Sequence, residues 1–300
     1  MTYKLYHSRA TTYNEENIKV SHSALSKLLA TEQMSMDFLG HCAEDVLPAC
    51  FSQVAAMKKH SSSDAVSSSI LDCGFSYHFS DGKKALFEVF AEEPSRVKRM
   101  AGAMASTNAD GAHIGVGELF AGFDWRSLGD VRVVDVGGSS GVTAIPLLRH
   151  APNIASLTVQ DLPEVIAEAQ SKPKPDDVAA RLDFQVGDFF QPQQITDADV
   201  YYLRHILHDW PLDKAVEILR NQVQSIKAGA WLVINDAVVV QSSENPYASM
   251  IARAADLQMM VAANARERTL EEWKAMVAEA VGEALVLESV VGNVLVFRKV

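Results

Sequence analysis

Arg204-His-Ile-Leu-His-Asp-Trp210 places two histidines three residues apart. One well-placed imidazole is enough for a general base, which takes a proton from a reacting hydroxyl. Two imidazoles also begin a metal site, but His205, His208 and Asp209 would need a further strong ligand at close spacing. The sequence supplies none nearby, so no metal is expected. His208, just before the helix that Pro211 opens, is the expected base, and His205 is read as structural. Four carboxylates belong to the same chemistry. Asp135, Asp161, Asp188 and Asp236 each fall at or just past the end of an apolar run. Open α/β sheets bind ligands beyond the carboxyl ends of their strands.

The elements that must position these groups start at Val131-Arg-Val-Val-Asp-Val-Gly-Gly-Ser-Ser-Gly141. Its valine run has the pattern of a strand buried on both faces. A turn of small residues follows, and Val142 to Arg149 then carries apolar side chains at helical spacing. Strand, Gly turn and helix make the first βα unit of a nucleotide-binding α/β domain. The dinucleotide frame G-x-G-x-x-G fails, because Val136 stands in first place before Gly138 and Gly141. The frame D-x-G-x-x-x-G fits through Asp135, Gly137 and Gly141. That is the form of an S-adenosylmethionine (SAM) loop, with Ser139 where a middle glycine is common. Gly137 and Gly138 let the chain turn sharply and let a ligand approach the backbone.

Asp161 lies twenty positions after Gly141, about the distance of a ribose-binding acid. Its other reading is an N-cap for the helix at Pro163. Asp188 with Phe189 suits an adenine ring, the carboxylate accepting from the amino group and the aromatic stacking. The alternative is a Gly-Asp turn with Phe189 in the core.

From Val131 onward strands and helices alternate, which implies a parallel sheet covered on both faces. Val286–Val291 and Val294–Arg298 are joined by Gly292-Asn293, a hairpin signal. The expected fold class is therefore α/β, a Rossmann-like SAM methyltransferase fold with a C-terminal antiparallel hairpin. Residues 129–300 form this catalytic domain. Residues 1–128 are read as a helical N-terminal region. Its helices are expected at Ser21–Ala30, capped by Ser21 or Ser23, then at Met34–Lys59, Lys84–Glu92 and Pro94–Ser106. Asn14–Asn17 reads as a turn and Ser61–Ser69 as a serine-rich loop. The Met and Phe stripe of Met34–Lys59 reads as core, and His41 and His60 as solvated.

A net charge of −11 over 300 residues argues against a nucleic-acid partner. No apolar run is long enough to span a bilayer, and Met1–Tyr6 is too polar for a signal segment. Cys42, Cys50 and Cys73 have no metal-ligand spacing and read as reduced thiols of a cytoplasmic protein.

From about Ile18 to Val300 the chain resembles the fungal and plant small-molecule O-methyltransferases, relatives of caffeate O-methyltransferase. The resemblance rests on Ser21-His-Ser-Ala-Leu-Ser26, Asp135-Val-Gly-Gly138, Gln160-Asp-Leu-Pro-Glu-Val165, Gly187-Asp-Phe-Phe190, Leu203 to Trp210 and Arg266-Glu-Arg-Thr269, in that order. It implies His208 as catalytic base, flanked by Asp236 and Glu267, one of which holds the imidazole in the useful tautomer. It implies SAM held by Asp135, Gly137, Gly138, Asp161, Asp188, Phe189 and Arg204, and a small hydroxylated acceptor. Some relatives of this fold catalyse rearrangement or cyclisation, and a non-catalytic partner subunit is a further alternative. Family members begin with a longer helical module that holds a winged helix and much of a dimer interface. The resemblance therefore implies a truncated member, with association as a homodimer or with a chain that supplies that module.

Overall fold

The computed structural model describes residues 6–9, 19–60, 67–107, 116–240 and 246–300. Tyr6–Arg9 (β1) and Lys19–His22 (β2) pair antiparallel. This corrects the all-helical expectation for the N-terminal region. Four-residue strands of mixed polarity carry too short a pattern to read. Ser23 caps Ala24–Thr31 (α1), with the Ser26 N–H donating to Ser23 Oγ at 3.2 Å; Ser21 lies in β2.

The helix expected at Met34–Lys59 is Gln33–Gly40 (α2), a π-helical segment at His41–Val46, and Leu47–His60 (α3). Its apolar stripe is not core. Met36, Leu39, Leu47, Val54 and Met57 are exposed, and Phe51 is 80% exposed. His41 is corrected in the other sense. It is buried, with Nδ1 3.1 Å from Asp45 Oδ2, and the fully buried Asp45 also takes Arg96 and Arg99. The two arginines arrive from far along the chain, on Pro94–Thr107 (α6). Gly74–Ser80 (α4) and Leu86–Glu92 (α5) precede that helix, and Gly117–Gly122 (α7) follows it. Helices as short as α4 and α7 carry too few turns for a periodicity to register. The expected turn at Asn14–Asn17, residues 61–66 of the serine-rich loop and the His60 side chain lie outside the described residues.

The sheet has seven strands: Val131–Val136 (β3), Ile154–Asp161 (β4), Leu182–Val186 (β5), Val200–Arg204 (β6), Trp231–Asn235 (β7), Leu285–Val291 (β8) and Val294–Lys299 (β9). Their order is β5-β4-β3-β6-β7-β9-β8, parallel from β5 to β7, with β9 antiparallel to both β7 and β8. Gly292, at φ +58°, makes the hairpin turn. Ala144–His150 (α8), Pro163–Gln170 (α9), Leu212–Ser225 (α10), Pro246–Ala263 (α11) and Leu270–Val281 (α12) complete the chain.

Both faces of the sheet are covered, which is why its central strands read as continuous apolar runs. One core gathers Trp125, Leu147, Leu157 and Phe184; the other gathers Leu219, Leu232, Trp273 and Phe297. Each buried indole N–H finds a carbonyl, Trp125 on Leu119 at 3.0 Å and Trp273 on Ala237 at 3.1 Å. From β3 the chain goes outward to β4 and β5, then returns to lay β6 on the other side. That reversal sets the carboxyl ends of β3 and β6 side by side, the place where such sheets take ligands. Among the described residues, no helix is long and apolar enough to cross a membrane.

Candidate active site

Beyond β3 the backbone turns through Gly137, Ser139 and Gly141, at φ +74°, +54° and +79°. Gly137 and Gly138 donate their N–H groups to the Gln160 carbonyl at 2.8 and 3.2 Å, tying the loop to the end of β4. Asp161 secures it from the same side. Its carboxylate accepts from the Ser139 N–H and from its own neighbour Leu162, both at 2.8 Å. The N-cap of α9 is Leu162, so Asp161 belongs to the loop rather than to the helix. Asp135 lies beneath the loop, 2% exposed, and its Oδ2 has no hydrogen-bond partner among the described residues. Burial pushes its carboxyl up to about 7. A Cβ at Gly138 would stand 2.3 Å from that carboxyl group.

Phe189 lines the crevice together with Gly137, Gly187 and Asp188. Asp188 is exposed, and its Oδ1 accepts the Phe190 N–H at 2.9 Å. Both phenylalanines pack on Trp210, so the aromatic wall is built from two loops. Sequence reasoning missed the layer below. Gln193 Nε2 donates to Gln160 Oε1 at 2.8 Å and to Gln222 Oε1 at 2.7 Å, and Gln222 donates to the Phe189 carbonyl at 3.1 Å. Buried amides of this kind fix the backbone that carries the aromatic. Arg204 is turned into the sheet, its Nε on Asn235 Oδ1 at 3.0 Å.

The second half of the site is the turn after β6. His205 sits in the left-handed region at φ +54°, and Leu207–Asp209 form a single 3₁₀ turn. Asp236 is fully buried and holds this turn by its backbone. Its Oδ1 accepts from the Ile206 N–H at 3.2 Å, and its Oδ2 from Leu207 and His208 at 2.9 and 3.2 Å. Of the two acids expected beside the imidazole, Asp236 orients the peptide that carries His208 and not the ring. Glu267 takes the ring, with Oε1 2.9 Å from His208 Nδ1. Glu267 is set in turn by its own N–H on Asp256 Oδ1 at 3.0 Å.

The electrostatics follow from this crowding. Burial by itself lowers the His208 pKa, but Asp209, Asp236 and Glu267 outweigh it and raise the imidazole to about 10. Burial pushes Asp209 up to about 6. His205 moves the opposite way. Burial, and then the neighbouring His208, hold it well below the usual histidine value.

Arg268 is the other residue the sequence did not single out, although it lies inside Arg266-Glu-Arg-Thr269. It is 1% exposed and donates to the carbonyls of Leu207 and Trp210, both at 3.0 Å. The His208 turn is thus held by a carboxylate on its N–H groups and a guanidinium on its carbonyls. Arg268→Met keeps most of the volume and strands two carbonyls. It is expected to cost about 2–4 kcal/mol, read by urea denaturation; a change within about 0.5 kcal/mol would show that the clamp is idle.

Loop, aromatic wall and histidine turn meet at one end of one sheet. A family model described as an O-methyltransferase domain matches residues 60–282. The chain belongs to this family. It is 34% identical to O-methyltransferase VdtC of Byssochlamys spectabilis over 268 residues, covering 88% of this chain and 60% of VdtC. OxaC, solved in complex with SAH and oxaline, superposes with a TM-score of 0.78 at 21% identity, over 98% of this chain and 72% of OxaC. LepI, solved in complex with SAM, gives 0.76 at 24% identity, over 95% of this chain and 72% of LepI. At those identities the two structures speak to the fold. In this member of the family the described geometry supplies a glycine-walled crevice and an imidazole held by a carboxylate.

Proposed function

We propose that this chain binds SAM in the crevice and transfers its methyl group to a hydroxyl, phenolic in kind, of a small molecule. The reading rests on the His208–Glu267 pair, carried on the turn whose Ile206 side chain stands against Gly137 of the glycine loop. The residues fit the cofactor. Gly137 and Gly138 leave backbone where any side chain would collide, Phe189 offers a ring face, and Asp135, Asp161 and Asp188 offer carboxylates. Bound SAM supplies an electrophilic methyl group; Arg204 supports the site from within the sheet.

His208 does the proton work. Glu267 holds Nδ1, so Nε2, which lies 3.6 Å from Asp209 Oδ1, is the nitrogen that takes the acceptor's proton. A phenol has a pKa of about 10 and a free histidine about 6.5, a mismatch that penalises the transfer. Raising His208 to about 10 removes the mismatch. The imidazole then takes the proton as the oxygen attacks, while the crevice walls align the partners and exclude water.

The pH dependence has a definite sign. Only neutral imidazole accepts a proton, so turnover rises with pH and levels near the His208 value of about 10. Glu267→Gln keeps an oxygen for Nδ1 and removes one negative charge that raises the pKa. The midpoint of the rise is expected to move to lower pH by about one unit or more. Initial rates from pH 6 to 11, with a phenolic acceptor, test the assignment; an unmoved midpoint would remove His208 as the titrating base.

A further inference from the structure

The stretch Arg204–Trp210 lacks the further strong ligand a metal site needs, and the fold supplies one. Asp236, from the end of β7, brings an oxygen into a cluster with one ring nitrogen each of His205 and His208, all within 4.8 Å of one another. We propose that these three residues form a site for a divalent zinc-like cation that switches the enzyme off.

Four observations support the site. His205 Nε2 is buried and has no hydrogen-bond partner among the described residues. Its ring lies 5.2 Å from that of His208, centroid to centroid. Glu267 is 6% exposed and already holds His208 Nδ1 through Oε1; its Oε2 is buried and has no hydrogen-bond partner among the described residues. Carboxylate, histidine and metal in line is the usual second-shell pattern of zinc sites. Finally, His205 is held at φ +54°, a conformation that non-glycine residues adopt at a cost of order 1–3 kcal/mol and that clusters at ligand sites.

Two neutral imidazoles and a carboxylate are the donor set of open, three-ligand zinc sites. Bonds of about 2.0–2.1 Å set tetrahedral donors roughly 3.3 Å apart. Donors within 4.8 Å of one another therefore have to draw in by no more than about 1.5 Å. Asp236 already accepts three backbone N–H groups, two on Oδ2 and one on Oδ1. A carboxylate has about four lone-pair sites, so Oδ1 keeps one free.

The consequence for catalysis rests on His208 as base; the binding itself does not. The cation bonds to the lone pair that would take the acceptor's proton. A protonated His208 releases its proton to solvent as the metal–nitrogen bond forms, and no redox change is involved. Binding and methyl transfer are then mutually exclusive at one nitrogen.

Chelator-stripped protein titrated with Zn²⁺ against a chromophoric competitor tests the site. One Zn²⁺ per chain is expected, at micromolar affinity or tighter, with no competition from Mg²⁺, which prefers oxygen ligands. His205→Asn is expected to weaken binding at least about 100-fold, and Cys50→Ser and His41→Ala to leave it unchanged. Asparagine tolerates the left-handed backbone; His205→Gly, which does so too, is the second variant, with thermal melting as the folding control. Substoichiometric binding, or wild-type affinity in both His205 variants, would overturn the site. Turnover with Zn²⁺ is expected to fall more than tenfold as the site fills in the wild type. In each His205 variant the same Zn²⁺ leaves the variant's own metal-free rate in place. Full turnover at full occupancy would overturn the inhibition.

Discussion

His208→Ala lowers methyl transfer by about 10²- to 10⁴-fold and leaves the affinity for S-adenosylhomocysteine nearly unchanged. The separation follows from where the residue stands. Its imidazole is held by Glu267, and its backbone N–H by Asp236. The crevice wall is made instead by Gly137, Gly187 and Phe189. Alanine keeps the backbone hydrogen bond, so the 3₁₀ turn survives and only the proton acceptor is lost. Steady-state rates and calorimetric titration on the same preparation read the two quantities. Equal losses of turnover in His208→Ala and His205→Asn would contradict the assignment of the base.

Gly137→Val is the second large effect, and it falls on cofactor binding. Two physical reasons act together. Gly137 is at φ +74°, which a β-branched residue adopts only under strain. A Cβ there would also stand 2.5 Å from Ile206 Cδ1. Ile206 opens the turn that carries His208, so the collision reaches both halves of the site. S-adenosylhomocysteine affinity is expected to fall by more than about 100-fold, because glycine is what lets the backbone approach a ligand closely. Gly138→Ala gives an independent reading, because its Cβ meets the buried Asp135 carboxyl at 2.3 Å without any positive φ. Circular dichroism separates lost binding from lost folding. Wild-type affinity in both variants would place the cofactor elsewhere.

The centre of the fold was legible for a simple reason. A strand buried on both faces, Val131–Val136, must be apolar at nearly every position, and a loop that turns at once must be small. Gly292-Asn293 marked its hairpin through turn chemistry alone. Roles decided by distant partners were not legible. Asp236 stands at a strand end, as expected, yet nothing local says that three backbone N–H groups converge on it. Arg268 reads as one more charged residue until the turn at Leu207–Trp210 folds against it. Gln193 is hidden in Gln191-Pro-Gln-Gln194, a stretch that reads as a polar loop.

The misreadings in the first half of the chain have a common origin. Amphipathic spacing shows that a helix has an apolar face, not what covers it. Phe51 and Val54 share such a face, and it is exposed. For His41 a local signal existed: Asp45 lies four residues on, which puts both on one side of a helix. The burial of that pair depends on Arg96 and Arg99, and their arrival could not be foreseen from residues 41–45.

The most direct test follows the methyl group itself. The wild-type protein is incubated with SAM carrying a ¹³C-labelled methyl and with a panel of phenolic and polyketide acceptors, and the products are read by mass spectrometry. The expected result is one acceptor that gains a labelled methyl on oxygen, with an equal amount of S-adenosylhomocysteine, and loss of both in His208→Ala. Bound SAM that keeps its label throughout, or an acceptor rearranged with its mass unchanged, would contradict methyl transfer as the reaction of this site.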